Sequence, residues 1–162
     1  MPSTYTPIAT QTLGSTAATV TFSSIPSTYT DLVLITNESL TSNTMNSKMT
    51  FNGSSASDYS RTYLIGYAST VISGRETNQN GIPYGYLAST SHQGLNRLML
   101  MNYSSTSVYK TVLTREDNAS DRTSTAVGLW RSTSAINQIT LTVASGSYTA
   151  GSTFTLYGVK SA

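Results

Sequence analysis

The chain has 162 residues, a length that fits one domain, because single hydrophobic cores typically organise about 100 to 200 residues. Charged residues make up only 10%, and the nine basic residues behind the net charge of +2 are scattered singly, which argues against a nucleic-acid-binding patch. The absence of cysteine excludes disulfide frameworks, thiol nucleophiles and cysteine-based zinc sites, and no apolar run is long enough to predict a membrane span.

Serine and threonine dominate the composition, with 27 and 28 copies respectively. Threonine is β-branched and suits a half-buried strand, whereas serine favours turns. Residues 8–13 and 18–22 alternate between apolar and polar types, which predicts two strands of a hairpin around Gly14, Ser15 and Thr16. Residues 31–36 contain four consecutive apolar residues and predict a strand near the centre of a sheet.

The middle of the chain predicts a tight turn, a strand and a long loop in that order. Asn52-Gly53 is the dipeptide that most readily adopts positive φ at both central positions of a turn. Residues 61–67 then predict a strand. Residues 73–83 are polar and contain Gly74, Gly81 and Pro83, so they predict a long loop that is either mobile or a contact element.

The second half predicts five further strands. Residues 95–101 have helix-forming residues, but the flanking turn signals and the short length favour a strand. Alternation predicts the others at residues 109–115, 126–131, 136–143 and 154–159. About nine or ten strands without a defensible helix predict an all-β, single-domain antiparallel β-sandwich over residues 8–162. The jelly roll is the commonest version at this length.

The inventory of catalytic groups is poor, so we expect no enzyme, no cofactor and no metal. The only histidine, His92, lies in a polar segment that predicts an exposed loop, and no G-x-S-x-G motif is present. Seven acidic residues cannot be paired from their spacing alone. Glu116, Asp117, Asn118 and Asp121 offer oxygen ligands for Ca²⁺ but lack the EF-hand spacing, so a solvated turn is the favoured interpretation.

Two segments are candidate contact regions. Residues 1–7 contain two prolines and predict an extended N-terminal arm, with Pro2, Tyr5 and Pro7 as contact candidates. Residues 81–86 place aromatic side chains beside glycine and proline, which predicts well-held, exposed rings. The candidates there are Ile82, Pro83, Tyr84 and Tyr86. Ordinary strand packing is the alternative explanation for these and the other tyrosines.

Several short stretches resemble a group of small virion proteins of tailed bacteriophages, including those that infect cyanobacteria. The stretches are IATQTLG (8–14), FSSIPSTYTDL (22–32), FNG (51–53) followed by DYS (58–60), MNYS (101–104), GLWRST (128–133) and GSTFTLYG (151–158). The resemblance runs over nearly the whole chain. None of these motifs is catalytic, so the resemblance implies a role in the particle and no set of active-site residues.

What the resemblance implies is a non-enzymatic virion structural protein, assembled in the host cytoplasm and located on the capsid surface. The favoured role is a capsid cement or decoration protein that stabilises contacts between major capsid subunits, with the N-terminal arm reaching a neighbour. By analogy with capsid jelly rolls, we expect a homo-oligomer, with a trimer favoured, and no nucleic-acid or membrane partner. A tail or fibre component, or a module binding glycans on the host surface, is the alternative.

Overall fold

The computed structural model of the chain describes residues 4–42, 47–85, 90–118 and 122–160. These residues form twelve β-strands, and because none of them is helical, none belongs to an apolar helix that could cross a membrane. The strands are β1 (Tyr5–Thr12), β2 (Thr19–Phe22), β3 (Asp31–Glu38), β4 (Ser47–Phe51), β5 (Tyr59–Tyr67), β6 (Thr70–Gln79), β7 (Ile82–Tyr84), β8 (Gly94–Met101), β9 (Lys110–Asn118), β10 (Arg122–Trp130), β11 (Ile139–Val143) and β12 (Thr153–Val159).

The strands pair into two antiparallel sheets that enclose one hydrophobic core. The larger sheet has the order β1-β12-β3-β8-β9-β10-β5-β6, and the smaller sheet has the order β2-β11-β4-β7. The prediction of an all-β antiparallel sandwich is confirmed. Period-two alternation produces this architecture because successive side chains of a strand point to opposite faces of its sheet. In β11, for example, Ile139, Leu141 and Val143 are buried while the threonines between them are only half-buried.

The connections explain why one sheet has twice as many strands as the other. The chain alternates between the sheets from β1 to β5, and it enters and leaves the smaller sheet again at β7 and at β11. In contrast, the hairpin β5–β6 and the consecutive strands β8, β9 and β10 stay within the larger sheet. They widen that sheet on one side only.

Aromatic side chains fill the core where β4, β5 and β10 approach each other. The ring of Trp130 stacks on Tyr59 with centroids 6.0 Å apart, and it lies 5.4 Å from Phe51. The Asn52-Gly53 turn that follows Phe51 has the predicted positive φ angles of 52° and 71°. The Asn52 side chain also bonds to the backbone of residues 135–138, so this turn is tied to the segment before β11.

Two local predictions were wrong. Strands β1 and β2 do not form a hairpin around Gly14, because β1 pairs with β12 and β2 pairs with β11 in the other sheet. The long loop predicted at residues 73–83 is instead mostly strand β6, which pairs with β5 along its length. Strand β6 is the edge of the larger sheet and is mostly exposed, so its sequence lacks the apolar alternation that identifies the other strands.

Candidate contact surface and buried polar cluster

The outward-facing side of the larger sheet carries a row of apolar side chains across four adjacent strands. Val33 of β3 pairs with Met99 of β8. Met99 in turn pairs with Leu113 of β9, which pairs with Val127 of β10. Side chains at paired positions are direct neighbours, with Cβ atoms about 4.5 to 5.5 Å apart, so the four form a continuous stripe. We call it the outer stripe (Val33, Met99, Leu113 and Val127).

The outer stripe is buried at Val33 and half-buried at Met99, whereas its other end exposes two adjacent aliphatic side chains to solvent. Leu113 is 43% exposed and Val127 is 48% exposed, and Leu64 on the neighbouring strand is 47% exposed. Single exposed apolar residues are common, but contiguous exposed aliphatic side chains mark interaction sites in soluble proteins. The stripe therefore has the character of a contact surface.

Arginine side chains lie beside the outer stripe. Arg97 and Arg115 face each other directly across β8 and β9, an arrangement in which like charges repel. Arg115 bonds to Asp117 at 3.0 Å, yet its side chain is 74% exposed. Val127 pairs with Thr62 of β5, which in turn pairs with Arg75 of β6, so Arg75 lies at the end of the same row of side chains. Arginine is enriched at protein interfaces, so this face combines apolar and basic character suited to an apolar partner surface with acidic groups.

The hairpin β5–β6 extends the larger sheet beyond the smaller one. Ile72 of β6 pairs with buried Ile65, but Ile72 itself is 46% exposed, because the smaller sheet does not cover this edge. Val71 next to it is 73% exposed. The base of the hairpin is held by the buried guanidinium of Arg61, which donates to Glu76 at 2.9 and 3.3 Å and to the carbonyl oxygen of Pro83 at 3.1 Å. Val71 pairs with Gly66 and so lies on the same outer face as Leu64, where it adds to the contact surface, whereas Ile72 faces the opposite side of the sheet.

A second feature lies inside the sandwich, where β3 and β7 end and β4 begins. Four completely buried polar side chains converge there from both sheets. We call them the buried oxygen cluster (Glu38, Ser47, Asn96 and Glu116). Asn96 and Glu116 are paired across β8 and β9, and Asn96 also pairs with Thr36 of β3. Gly85 closes one side, since a Cβ atom there would lie 2.6 Å from Oε1 of Glu38.

Burial dominates the electrostatics of this cluster. Burial, with a smaller contribution from the nearby carboxylate of Glu116, raises the pKa of Glu38 from 4.5 to about 8, while hydrogen bonding from Thr36 and Asn96 opposes the shift. The hydroxyls of Tyr84 and Tyr148 lie 2.9 Å apart beside the cluster. Burial raises the pKa of both phenols, and the charge of Glu38 adds to the effect. Glu38 and the two phenols therefore favour their neutral forms.

The structure separates the contact residues predicted from the sequence. Tyr5 and Pro7 belong to β1 and pair with Val159 and Tyr157 of β12, so this part of the predicted arm is an edge strand. Tyr5 is nevertheless 45% exposed. Pro2 lies outside the described residues.

The prediction that residues 81–86 form an exposed contact segment was wrong for Ile82 and Tyr84, which the structure buries. Ile82 and Tyr84 point into the core, because β7 is the edge strand that packs over the larger sheet. Pro83 is half-buried, and Tyr86 lies outside the described residues.

The described residues of the acidic segment considered as a calcium site from the sequence do not all face the same side of the sheet. Glu116 points into the core, whereas Asp117 lies on the outer face and bonds to Arg115, so the two carboxylates are on opposite sides of the sheet. Asp121 lies outside the described residues. His92 is exposed, as predicted, with its Nδ1 atom 3.0 Å from the hydroxyl of Ser91. In the described ranges, no three His, Cys, Asp or Glu residues form a metal-binding group.

Comparison with known protein families, with curated proteins and with solved structures finds no match for this chain. Neither the outer stripe nor the buried oxygen cluster was predicted from the sequence. Alternation marks Leu113 and Val127 as facing one side of their strands, but only strand order places them beside Met99 and Val33. Glu38 and Glu116 are 78 positions apart, and their placement at inward-facing positions of strands is the one signal that could have indicated a buried cluster.

Proposed function

We propose that this chain is a non-enzymatic structural protein of a tailed-phage particle, and that it acts as a capsid cement or decoration protein. The observation that carries the proposal is the outer stripe with its flanking arginines. A cement protein holds neighbouring capsid subunits through a broad contact face, and contiguous exposed apolar side chains beside arginine suit such a face. The resemblance of the sequence to small virion proteins points in the same direction.

The topology is compatible with this role. When β5, β6, β9 and β10 are set aside, the remaining eight strands form one set with the order β1-β12-β3-β8 and a second with the order β2-β11-β4-β7. We propose that these eight strands are a jelly roll to which β5, β6, β9 and β10 have been added. The added strands supply much of the contact face, including Leu113, Val127 and the overhanging hairpin.

The proposed partners are major capsid subunits and other copies of this chain, with a trimer as the favoured oligomer. Low charge suits such contacts, because short Ser and Thr side chains lose little conformational entropy when they are buried. The repulsion between Arg97 and Arg115 would be relieved by acidic groups of a partner placed over both guanidinium groups. A nucleic-acid or membrane partner is not part of this proposal.

The location is tested by the copy number of this protein relative to the major capsid protein in purified particles, measured by quantitative mass spectrometry. A cement protein is expected at hundreds of copies. A few to a few dozen copies would instead support the alternative of a tail, fibre or receptor-binding component. Absence from purified particles would refute a virion role altogether.

The contact face is tested with the double variant Leu113→Glu, Val127→Glu added to particles that have been stripped of the protein. Burying two unpaired carboxylates removes the central contacts, so affinity for the particle is expected to fall at least about 30-fold, corresponding to hot-spot losses of about 2 kcal/mol or more. Thr19→Glu, on an exposed position of the smaller sheet, is the control and is expected to bind normally. Unchanged occupancy for a folded double variant would rule out this face.

A further inference from the structure

The buried oxygen cluster has more hydrogen-bond acceptors than donors. The amide nitrogen of Asn96 donates to the hydroxyl of Thr36 at 2.9 Å, and the Oδ1 atom of Asn96 is left without a donor. This Oδ1 atom, both carboxylate oxygens of Glu38 and the hydroxyl oxygen of Ser47 are buried, and none forms a hydrogen bond of normal geometry with a described residue, although Thr36 and Asn96 lie close enough to Glu38 to lower its pKa. Buried polar atoms in native proteins are nearly always satisfied, so several such acceptors at one place indicate a missing positive group.

The described cationic side chains near the core are engaged elsewhere. Arg61 bonds to Glu76 and to the carbonyl oxygen of Pro83. Lys110 lies six residues from Glu116 on β9 and donates to the carbonyl oxygens of Val108 and Thr133. The guanidinium of Arg122 lies 4.5 Å from the centroid of the Tyr67 ring. None of these side chains is among the causes that set the pKa of Glu38.

We propose that the buried oxygen cluster binds a calcium ion. Its potential ligands are all oxygen atoms: two carboxylates, one amide oxygen and one hydroxyl, with the phenols of Tyr84 and Tyr148 nearby. Hard cations prefer such ligands, and Ca²⁺ accepts six to eight oxygens in irregular geometry, whereas Mg²⁺ requires a near-ideal octahedron and retains water. Zinc prefers nitrogen and sulfur ligands, which these side chains lack.

A calcium ion at this position would tie the two sheets together. Glu38, Asn96 and Glu116 belong to three neighbouring strands of the larger sheet, whereas Ser47 begins β4 of the smaller sheet. The ion would neutralise the buried carboxylate of Glu38 and would give the Oε1 atom of Glu116 a partner. Because the unfolded chain does not hold these residues together, binding would stabilise the folded state directly.

The proposal is tested by thermal unfolding of the full chain after treatment with EDTA, with and without added Ca²⁺. At a free Ca²⁺ concentration about a hundredfold above Kd, the melting temperature is expected to rise by about 5 to 10 °C. The rise is expected to disappear in Glu38→Gln, which keeps the shape of the side chain but removes its charge. It is expected to persist in Asp117→Asn, which alters the carboxylate next to Glu116 on the opposite face of the same strand.

Three outcomes would overturn the proposal. One is a wild-type chain whose melting temperature is unaffected by Ca²⁺, which would mean that a shared proton satisfies the cluster. The second is an equal rise in wild type and Glu38→Gln, which would place the ion elsewhere. If Glu38→Gln does not fold, Ser47→Ala replaces it, since it removes one neutral ligand and is expected to reduce calcium affinity. An unchanged affinity in Ser47→Ala would then be the third contrary outcome.

Discussion

Replacing Glu38 with glutamine in calcium-free solution tests whether a buried carboxyl group titrates inside the sandwich. Burial raises the pKa of Glu38 from 4.5 to about 8. At about 1.4 kcal/mol per pH unit, the difference amounts to about 5 kcal/mol. This figure is an upper value, because local opening of the structure would let water reach the charge. Glutamine carries no charge at any pH, so the variant isolates this contribution.

The sign of the effect follows from which state holds the proton. Below about pH 4.5 the carboxyl group is protonated in both the folded and the unfolded chain, so Glu38 and glutamine are equivalent. Between about pH 4.5 and pH 8 only the folded chain keeps the proton, so the wild-type chain loses stability relative to the variant as the pH rises. Above about pH 8 both states are ionised and the difference stops growing.

The assay is urea unfolding of both proteins in EDTA at a series of pH values from 5 to 9, because urea adds no charge that would screen the group. The free energy of unfolding of Glu38→Gln is expected to exceed that of wild type by an amount that grows with pH up to about pH 8. Asp117→Asn is the control and is expected to show no such trend, since Asp117 forms a surface pair with Arg115. A difference between Glu38→Gln and wild type that stays constant over this range would refute the buried, proton-binding carboxyl group.

Two further substitutions test the packing that positions the sheets. Asn52→Ala removes three hydrogen bonds to residues 135–138 and places alanine at a φ of 52°, so the free energy of unfolding in urea is expected to fall by about 2 to 4 kcal/mol. Asn52→Gly tolerates the positive φ but lacks the hydrogen bonds, so it is expected to recover only part of this stability. A loss below about 1 kcal/mol in Asn52→Ala would contradict the assigned bonds. Gly158→Ala would place a Cβ atom 2.3 to 2.4 Å from the ring of Tyr29, so it is expected to cost about 1 to 3 kcal/mol and to be partly rescued by Tyr29→Ala. A neutral effect of Gly158→Ala would show that the ring does not pack there.

The strands that cross the core were accessible from the sequence because burial imposes a pattern that can be counted. Strands β3, β8 and β11 have apolar residues at inward-facing positions, and all three were predicted close to their actual bounds. Asn52-Gly53 was identified as a turn because few residue pairs tolerate positive φ at consecutive positions. Strand β6 was missed, because an edge strand exposed on both faces is under no comparable constraint.

The amino-acid sequence by itself determined the β class, the antiparallel sandwich and the lack of cysteine chemistry, since these depend on residue type and on spacing within one strand. The tertiary structure alone decided which strands are neighbours. Strand order placed Leu113 beside Val127 in the outer stripe, and it brought Glu38 to Glu116 inside the core. It also buried Ile82 and Tyr84, which local sequence placed at the surface. Pairing between distant strands depends on the summed packing of both sheets, and no short stretch of sequence contains that information.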